Sequence, residues 1–199
     1  MKLLRTLFSA LLVTVASTAA VADTNTTLIP GNIAVHIAQV HYEHPIRILH
    51  PYLDVWHMKG PLAQKAATNT LNKYFANAQW CDQAHDASVV LLLEPHMFYN
   101  PQLQVFHGEI IAKVFTQSGG VGNIEPAILR IKKQAQQNGT LTIKPEFFME
   151  KAYAKAMEKV VAELKKNQLF LNALNVKMAK NMETICPALD ELPISKIYY

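Results

Sequence analysis

Four ionisable side chains of this sequence could do chemistry together if two neighbouring segments pair as a β-hairpin. They lie at alternating positions along the two segments, and they are Glu94, His96, His107 and Glu109. A turn formed by Asn100 and Pro101, or by residues 99–102, places Glu94 opposite His107. The other two side chains are then diagonal neighbours on the same face, about 7 Å apart. Such a group could bind a divalent metal or work as a general acid–base pair.

A simpler interpretation of the same four residues remains open. Alternating polar residues on a strand are typical of the solvent face of a half-covered sheet. Glu94 and His107 would then be an exposed pair that contributes at most a few tenths of a kcal/mol, about the size expected for surface ion pairs. A turn of three or five residues would also move part of the group to the other face.

No other pattern in the sequence identifies a reaction. The chain has no Cys-x-x-Cys, His-Glu-x-x-His, Gly-x-Ser-x-Gly or phosphate-loop motif, so it predicts no catalytic residue and no organic cofactor. His36 lies among apolar residues and is interpreted as a hydrogen-bonded core histidine rather than as a ligand. A divalent metal at the hairpin is therefore the one cofactor that the sequence leaves open.

The elements that would position the hairpin residues follow from hydrophobic periodicity. Strands are predicted at Asn32–Tyr42, Ser88–Tyr99 and Leu103–Thr116. Helices are predicted at Pro61–Trp80, Glu125–Asn138 and Pro145–Asn167, followed by a helical piece from Gln168 to Met178 and a tail from about residue 181. This order predicts one α+β domain, with helices packed on one face of a small, mainly antiparallel sheet. The N-terminal domain of the translocation protein TolB and the auxiliary components of lipid transporters are similar in this order alone, which implies no function.

An apolar connection from Pro45 to Pro61 separates the first strand from the first helix. Its prolines and Gly60 predict an irregular path, yet its composition is too hydrophobic for disorder. It either packs on its own domain or offers a surface to a partner. The side chains expected at such a surface are Tyr52, Trp56 and Met58.

The first 22 residues have the three parts of a cleavable secretory signal peptide. Lys2 and Arg5 precede a short apolar core, and small residues end at Ala20-Val21-Ala22. The core is shorter than the roughly 20 apolar residues that a membrane span needs. No cysteine stands at the cleavage point, so a lipid anchor is not expected. The sequence thus predicts a periplasmic or secreted protein that begins at Asp23 and forms a single domain over residues 23–199.

Charge and cysteines narrow the class of protein further. The full chain carries a net charge of +4, and the excised residues include two of its cations and no acid. The small remaining charge, with no concentrated basic face, argues against nucleic acid as a partner. Cys81 and Cys186 are the chain's two cysteines, and in an oxidising compartment they predict one disulfide. Two buried free thiols are the alternative.

Two functional hypotheses follow from these observations. The first is an exported, non-enzymatic binding or envelope-assembly protein whose partner is another envelope protein. The second is a metal-binding protein or metal-dependent hydrolase that uses the four ionisable hairpin residues.

Overall fold

The computed structural model describes residues 27–50, 53–82, 87–116, 126–176 and 182–192. The predicted signal peptide lies outside the described residues. Within them the chain forms seven strands and five helices. In chain order these elements are β1 (Ile29–His36), α1 (Gln39–Tyr42), β2 (Pro45–His50), β3 (Leu53–Met58), α2 (Lys59–Leu71), β4 (Phe75–Trp80), β5 (Val89–Asn100), β6 (Val105–Phe115), β7 (Leu129–Asn138), α3 (Pro145–Leu164), α4 (Gln168–Leu174) and α5 (Met182–Asp190).

Five of the strands form one sheet in the order β4-β1-β5-β6-β7. β1 runs parallel to both β4 and β5, whereas β5, β6 and β7 pair antiparallel in sequence. The α+β class is confirmed, but the sheet is mixed, so the prediction of a mainly antiparallel sheet is not confirmed. The difference arises because α2 provides the crossover that a parallel strand pair requires.

The region predicted as one long helix from Pro61 to Trp80 contains two elements. The helix α2 begins at Lys59 and ends at Leu71, and residues 75–80 form the edge strand β4. The turn between them is closed by the Tyr74 amide, which donates to the Leu71 carbonyl oxygen. Apolar residues such as Phe75 and Ala78 are buried from a strand as well as they would be from a helix, so spacing alone did not separate the two.

The helix predicted over Glu125–Asn138 is also wrong, because residues 129–138 form the edge strand β7. Ile131 and Ala135 are buried in the main core. A spacing of four residues returns to the same face in a helix and in a strand, so these two positions fit both patterns. The polar residues between them alternate with the buried ones, as an edge strand requires.

The predicted irregular connection between Pro45 and Pro61 is a β-hairpin instead. β2 and β3 pair antiparallel from Pro45↔Met58 to His50↔Leu53, apart from the main sheet. The first strand is likewise shorter than predicted: β1 ends at His36, and α1 begins at Gln39. Tyr52 lies outside the described residues.

The main core lies between the sheet and α2, α3 and α4. Odd positions of β5, such as Leu91 and Leu93, are buried there beneath Tyr153 and Met157 of α3. Gly108 lets α3 approach β6, since a Cβ at this position would lie 2.8 Å from the carbonyl carbon of Ala152.

The opposite face of the sheet is covered in part by α5. Ile185 and Leu189 of this helix pack with Ala34, Val90 and Leu92 in a second core cluster. Helices therefore lie on both faces, not on one, and the tail predicted from about residue 181 contains a packed helix. No helix in the described part of the chain is long and apolar enough to cross a membrane.

Candidate functional site

The predicted hairpin of β5 and β6 is present, but its register differs from the predicted one. Glu94 pairs with Ile111, not with His107, and His107 pairs with Phe98. The turn occupies residues 101–104, where the Asn100 side-chain oxygen accepts hydrogen bonds from the two amides at 102 and 103. Compared with the predicted register, each residue of β5 therefore pairs four positions further along β6. An even shift keeps the four predicted side chains on one face, as expected.

His96 and Glu109 are now direct cross-strand partners, while His107 is separated from Glu94. The Glu109 carboxylate forms an ion pair of 3.1 Å with Lys132 of β7. The His107 ring stacks at a tilt near Phe98, and the Gln136 amide lies 3.5 Å from its Nδ1. In this register His107 remains a diagonal neighbour of His96, but it lies four residues along β6 from the residue that pairs with Glu94.

Glu94 is nearly inaccessible to solvent, with an exposed fraction of 3%. Its carboxylate forms an ion pair with the ammonium group of Lys113 on β6. A buried carboxylate of this kind needs a counter-charge, because an isolated ion in the protein interior is strongly disfavoured. The ion pair explains why this glutamate is tolerated on the strand, and it occupies an oxygen that a metal would need.

Two further buried polar residues, His41 of α1 and Lys59 of α2, complete the group around Glu94. Each is only 2% exposed, and Lys59 Nζ lies 3.3 Å from His41 Nδ1. The His41 ring meets the His96 ring edge-on, with the centroids 5.8 Å apart. We call His41, Lys59, Glu94, His96 and Lys113 the buried polar cluster.

No motif in the sequence links His41 and Lys59 to the hairpin, since they come from elements remote from it. The nearest signal is Gly60-Pro61, which follows Lys59. A Cβ at Gly60 would overlap the backbone of Tyr42, so a glycine is needed for α2 to begin against α1. That close approach brings the two missed side chains together.

The electrostatics of the cluster are dominated by burial and by the Lys59 charge. Burial, then Lys59, lowers the pKa of His41 from 6.5 to about 4. Burial lowers the pKa of Lys59 from 10.5 to about 8, although the Glu94 carboxylate acts in the opposite direction. Burial and Lys59 also lower the pKa of His96. At neutral pH the cluster therefore holds a neutral imidazole at His41 beside an ammonium group that is close to losing its proton.

This arrangement does not favour metal binding. His41 Nε2 is buried and has no hydrogen-bond partner among the described residues. Two lysine side chains stand next to Glu94 and His96, and cations oppose the approach of a divalent ion. A metal held by Glu94, His96, His107 and Glu109 remains a hypothesis from the sequence, with a geometry that does not favour it.

The β2–β3 hairpin presents the second set of predicted residues. Trp56 and Met58 lie on one face of β3, with exposed fractions of 57% and 42%. The Arg47 guanidinium of β2 lies 5.9 Å from the centre of the Trp56 ring. On the other face, Ile48 is buried in a small core cluster and His57 Nδ1 lies 3.2 Å from Glu146 of α3. The hairpin is thus held on the domain by one face and exposes the other.

The predicted disulfide between Cys81 and Cys186 is present. The Cα atoms are 6.4 Å apart, within the range that a disulfide spans. It joins the residue after β4 to α5 and closes a loop with a sequence separation of 105. A disulfide of this kind fits a protein outside the cytoplasm.

No known protein-family model matches the chain, and no curated protein matches its sequence. A crystal structure from Xanthomonas campestris, assigned to the DUF330 family model, has a TM-score of 0.49 and 11% identity, covering 70% of this chain and 86% of that one. A structure described as a putative lipoprotein from Caulobacter crescentus has a TM-score of 0.35 and 13% identity, covering 66% and 85%. The PelC dodecamer from Paraburkholderia phytofirmans has a TM-score of 0.33 and 13% identity, covering 68% and 93%. The likeness concerns the path of the backbone and assigns no function to a residue of this chain.

Proposed function

We propose that this chain is an exported, non-enzymatic binding or envelope-assembly protein, processed at Ala22 and active in the periplasm or outside the cell. Its contact surface is the exposed face of the β2–β3 hairpin, and its partner is another envelope protein. The observation that carries this proposal is the exposure of Trp56 and Met58 on a strand whose opposite face is anchored to the domain.

The physical reason is the cost of leaving such side chains in water. Full burial of a large apolar side chain is worth roughly 1.5–3 kcal/mol, and tryptophan and methionine are enriched at protein interfaces. Anchoring by Ile48 and by the contact between His57 and Glu146 holds the hairpin on the domain. A pre-positioned surface loses less conformational entropy on binding than a loop would.

Site-specific photo-crosslinking in the native host tests this surface. A photoreactive amino acid at position 56 is compared with the same amino acid at Leu169, an exposed apolar position on α4. We expect a discrete adduct with one envelope protein from position 56 and none from position 169. Trp56→Ala and Met58→Ala should then each weaken co-purification of that same protein. Identical adduct patterns from both positions would show that the hairpin is not a specific contact.

Export is tested separately by mass spectrometry of protein isolated from its host. The expected N-terminal residue is Asp23. Protein that retains Met1 or Lys2 would overturn the processing step, and with it the localisation.

Metal-dependent activity at the β5–β6 hairpin is the alternative proposal. Its support is the cross-strand pair of His96 and Glu109, which places an imidazole beside a carboxylate. Metal analysis of untagged protein, with thermal unfolding in added zinc, copper and nickel, tests it. A bound ion lost in both His96→Ala and Glu109→Ala would favour this function over the binding role.

A further inference from the structure

Three side chains with metal-binding atoms converge where β1, β4 and α5 meet. One ligand atom each from His36, Cys81 and Cys186 lies within 4.8 Å of the other two. In the part of the chain that the structure describes, no other three His, Cys, Asp or Glu side chains converge in this way. Tetrahedral zinc holds its ligands at about 2.0–2.3 Å, which places them roughly 3.5 Å from one another. Cys81 and Cys186 are bonded to each other, so their sulfurs would have to move apart by roughly 1.5 Å after reduction, and the His36 nitrogen would have to move closer by up to about 1 Å, for the three to share one ion.

Two of these ligands belong to a rigid part of the fold. His36 is the last residue of β1, and Cys81 directly follows β4, with its amide donating to the Val35 carbonyl oxygen. Cys186 lies in α5, which packs on the same face through Ile185 and Leu189. Because the sheet fixes two of the ligands, their positions do not depend on the disulfide alone.

Asp190 adds a fourth polar group one turn further along α5. Its Oδ1 lies 2.8 Å from His36 Nε2, so the imidazole N–H donates to the carboxylate. A carboxylate that holds one ring nitrogen of a histidine is the usual support of a zinc-binding imidazole. The Asp190 side chain is 32% exposed, so this end of the group is in contact with solvent.

We infer that the reduced chain binds one zinc ion through Cys81, Cys186 and His36, with Asp190 as the carboxylate that orients the His36 ring. A dithiol reductant transfers two electrons and two protons to the disulfide, which gives two thiols and leaves the reductant as a disulfide. Zinc then displaces the two thiol protons and is bound by two thiolates and an imidazole. Soft thiolate ligands favour zinc over magnesium or calcium. The same side chains thus form a covalent link in the oxidised chain and a metal site in the reduced one.

Competition with a chromophoric chelator tests the inference on purified protein. The protein is reduced with a dithiol, freed of reductant without oxygen, and titrated with zinc. We expect one zinc per reduced chain and none at this site in the oxidised chain. Cys81→Ser and Cys186→Ser should each abolish tight binding, and His36→Gln should weaken it at least about tenfold. His57→Gln, which alters a histidine of β3 that belongs to neither candidate metal site, should bind zinc as the unaltered protein does.

Cobalt provides a second readout that does not depend on stability. Cobalt(II) held by two thiolates gives an intense thiolate-to-metal charge-transfer band, and zinc should remove it. If the reduced chain unfolds, added zinc should restore its folded circular dichroism spectrum. The inference is overturned if the reduced chain binds no stoichiometric zinc, if the cobalt band is missing, or if His36→Gln binds zinc as tightly as the unaltered protein.

Discussion

Acidification should destabilise this protein through His41, in a pH range set by the buried polar cluster. The pKa of His41 is 6.5 in the unfolded chain and about 4 in the folded one. Between these values the unfolded state binds a proton that the folded state does not, so the free energy of unfolding rises with pH. The pKa difference corresponds to about 3 kcal/mol, fully present above pH 6.5 and lost as the pH falls to about 4.

The physical cause can be separated into burial and charge. Burial of the ring is the larger contribution, and the Lys59 ammonium group is the second. Lys59→Met should therefore raise the pKa of His41. The pH range over which acid lowers the stability should become narrower, but it should not disappear, because the burial of the ring remains. Lys59 has a range of its own: its pKa falls from 10.5 to about 8 on folding, so stability should rise again as the pH increases through that interval.

Urea unfolding across this pH range is the assay, with unaltered protein, His41→Gln and His107→Gln compared. Glutamine has a size similar to histidine and does not titrate, so the difference between the first two profiles isolates His41. We expect that difference to change by about 3 kcal/mol between pH 4 and pH 6.5. His107→Gln serves as the control for replacing a histidine by glutamine elsewhere on the sheet. Parallel profiles for His41→Gln and the unaltered protein would refute the assignment of the acid response to this side chain.

Two other predictions concern stability. Glu94→Gln removes the carboxylate that pairs with Lys113 and attracts Lys59. We expect the free energy of unfolding to fall by about 3–5 kcal/mol, as it does when one partner of a buried ion pair is removed. Glu109→Gln alters a carboxylate on the same face that pairs with the exposed Lys132, and it should lower the free energy of unfolding by less than about 1 kcal/mol. Equal losses of stability in Glu94→Gln and Glu109→Gln would contradict the argument from burial. Gly108→Ala should cost about 1–3 kcal/mol, because its Cβ would meet the backbone of α3. Denaturant midpoints measure all three, and an unchanged midpoint for Gly108→Ala would show that α3 can move aside.

Local patterns in the sequence predicted those parts of the fold that local chemistry determines. The helix α3 begins at Pro145, as expected, and its buried positions recur with helical spacing. The β5–β6 hairpin follows from two alternating segments around Asn100-Pro101. Its register could not be predicted, since the same segments allow several turn lengths and the Asn100 side chain selects one of them.

Long-range packing determines what the sequence did not predict. Glu94 and His96 were identified because they share a strand, whereas His41 and Lys59 reach them only after α1 and α2 meet at Gly60. The sequence of edge strand β4 fits the end of a helix as well as a strand, and only its pairing with β1 shows that it is a strand. The disulfide is a different case, since the count of two cysteines in a chain predicted to be exported leaves a single possible pair.

The end of β1 lies next to two groups of polar side chains. One is His36 with the disulfide and Asp190, and the other is the buried polar cluster around Glu94. The last β1–β5 pair is His36↔Leu92, and Glu94 lies two residues beyond it, where α1 takes the place of a strand. Asp190 of α5 contacts both the end of β1 and the start of α1, because its Oδ1 accepts hydrogen bonds from the His36 ring and from the Gln39 amide. His41 lies in that helix, two residues after Gln39, so Asp190 is the side chain that links the end of β1 to the helix that carries part of the buried polar cluster.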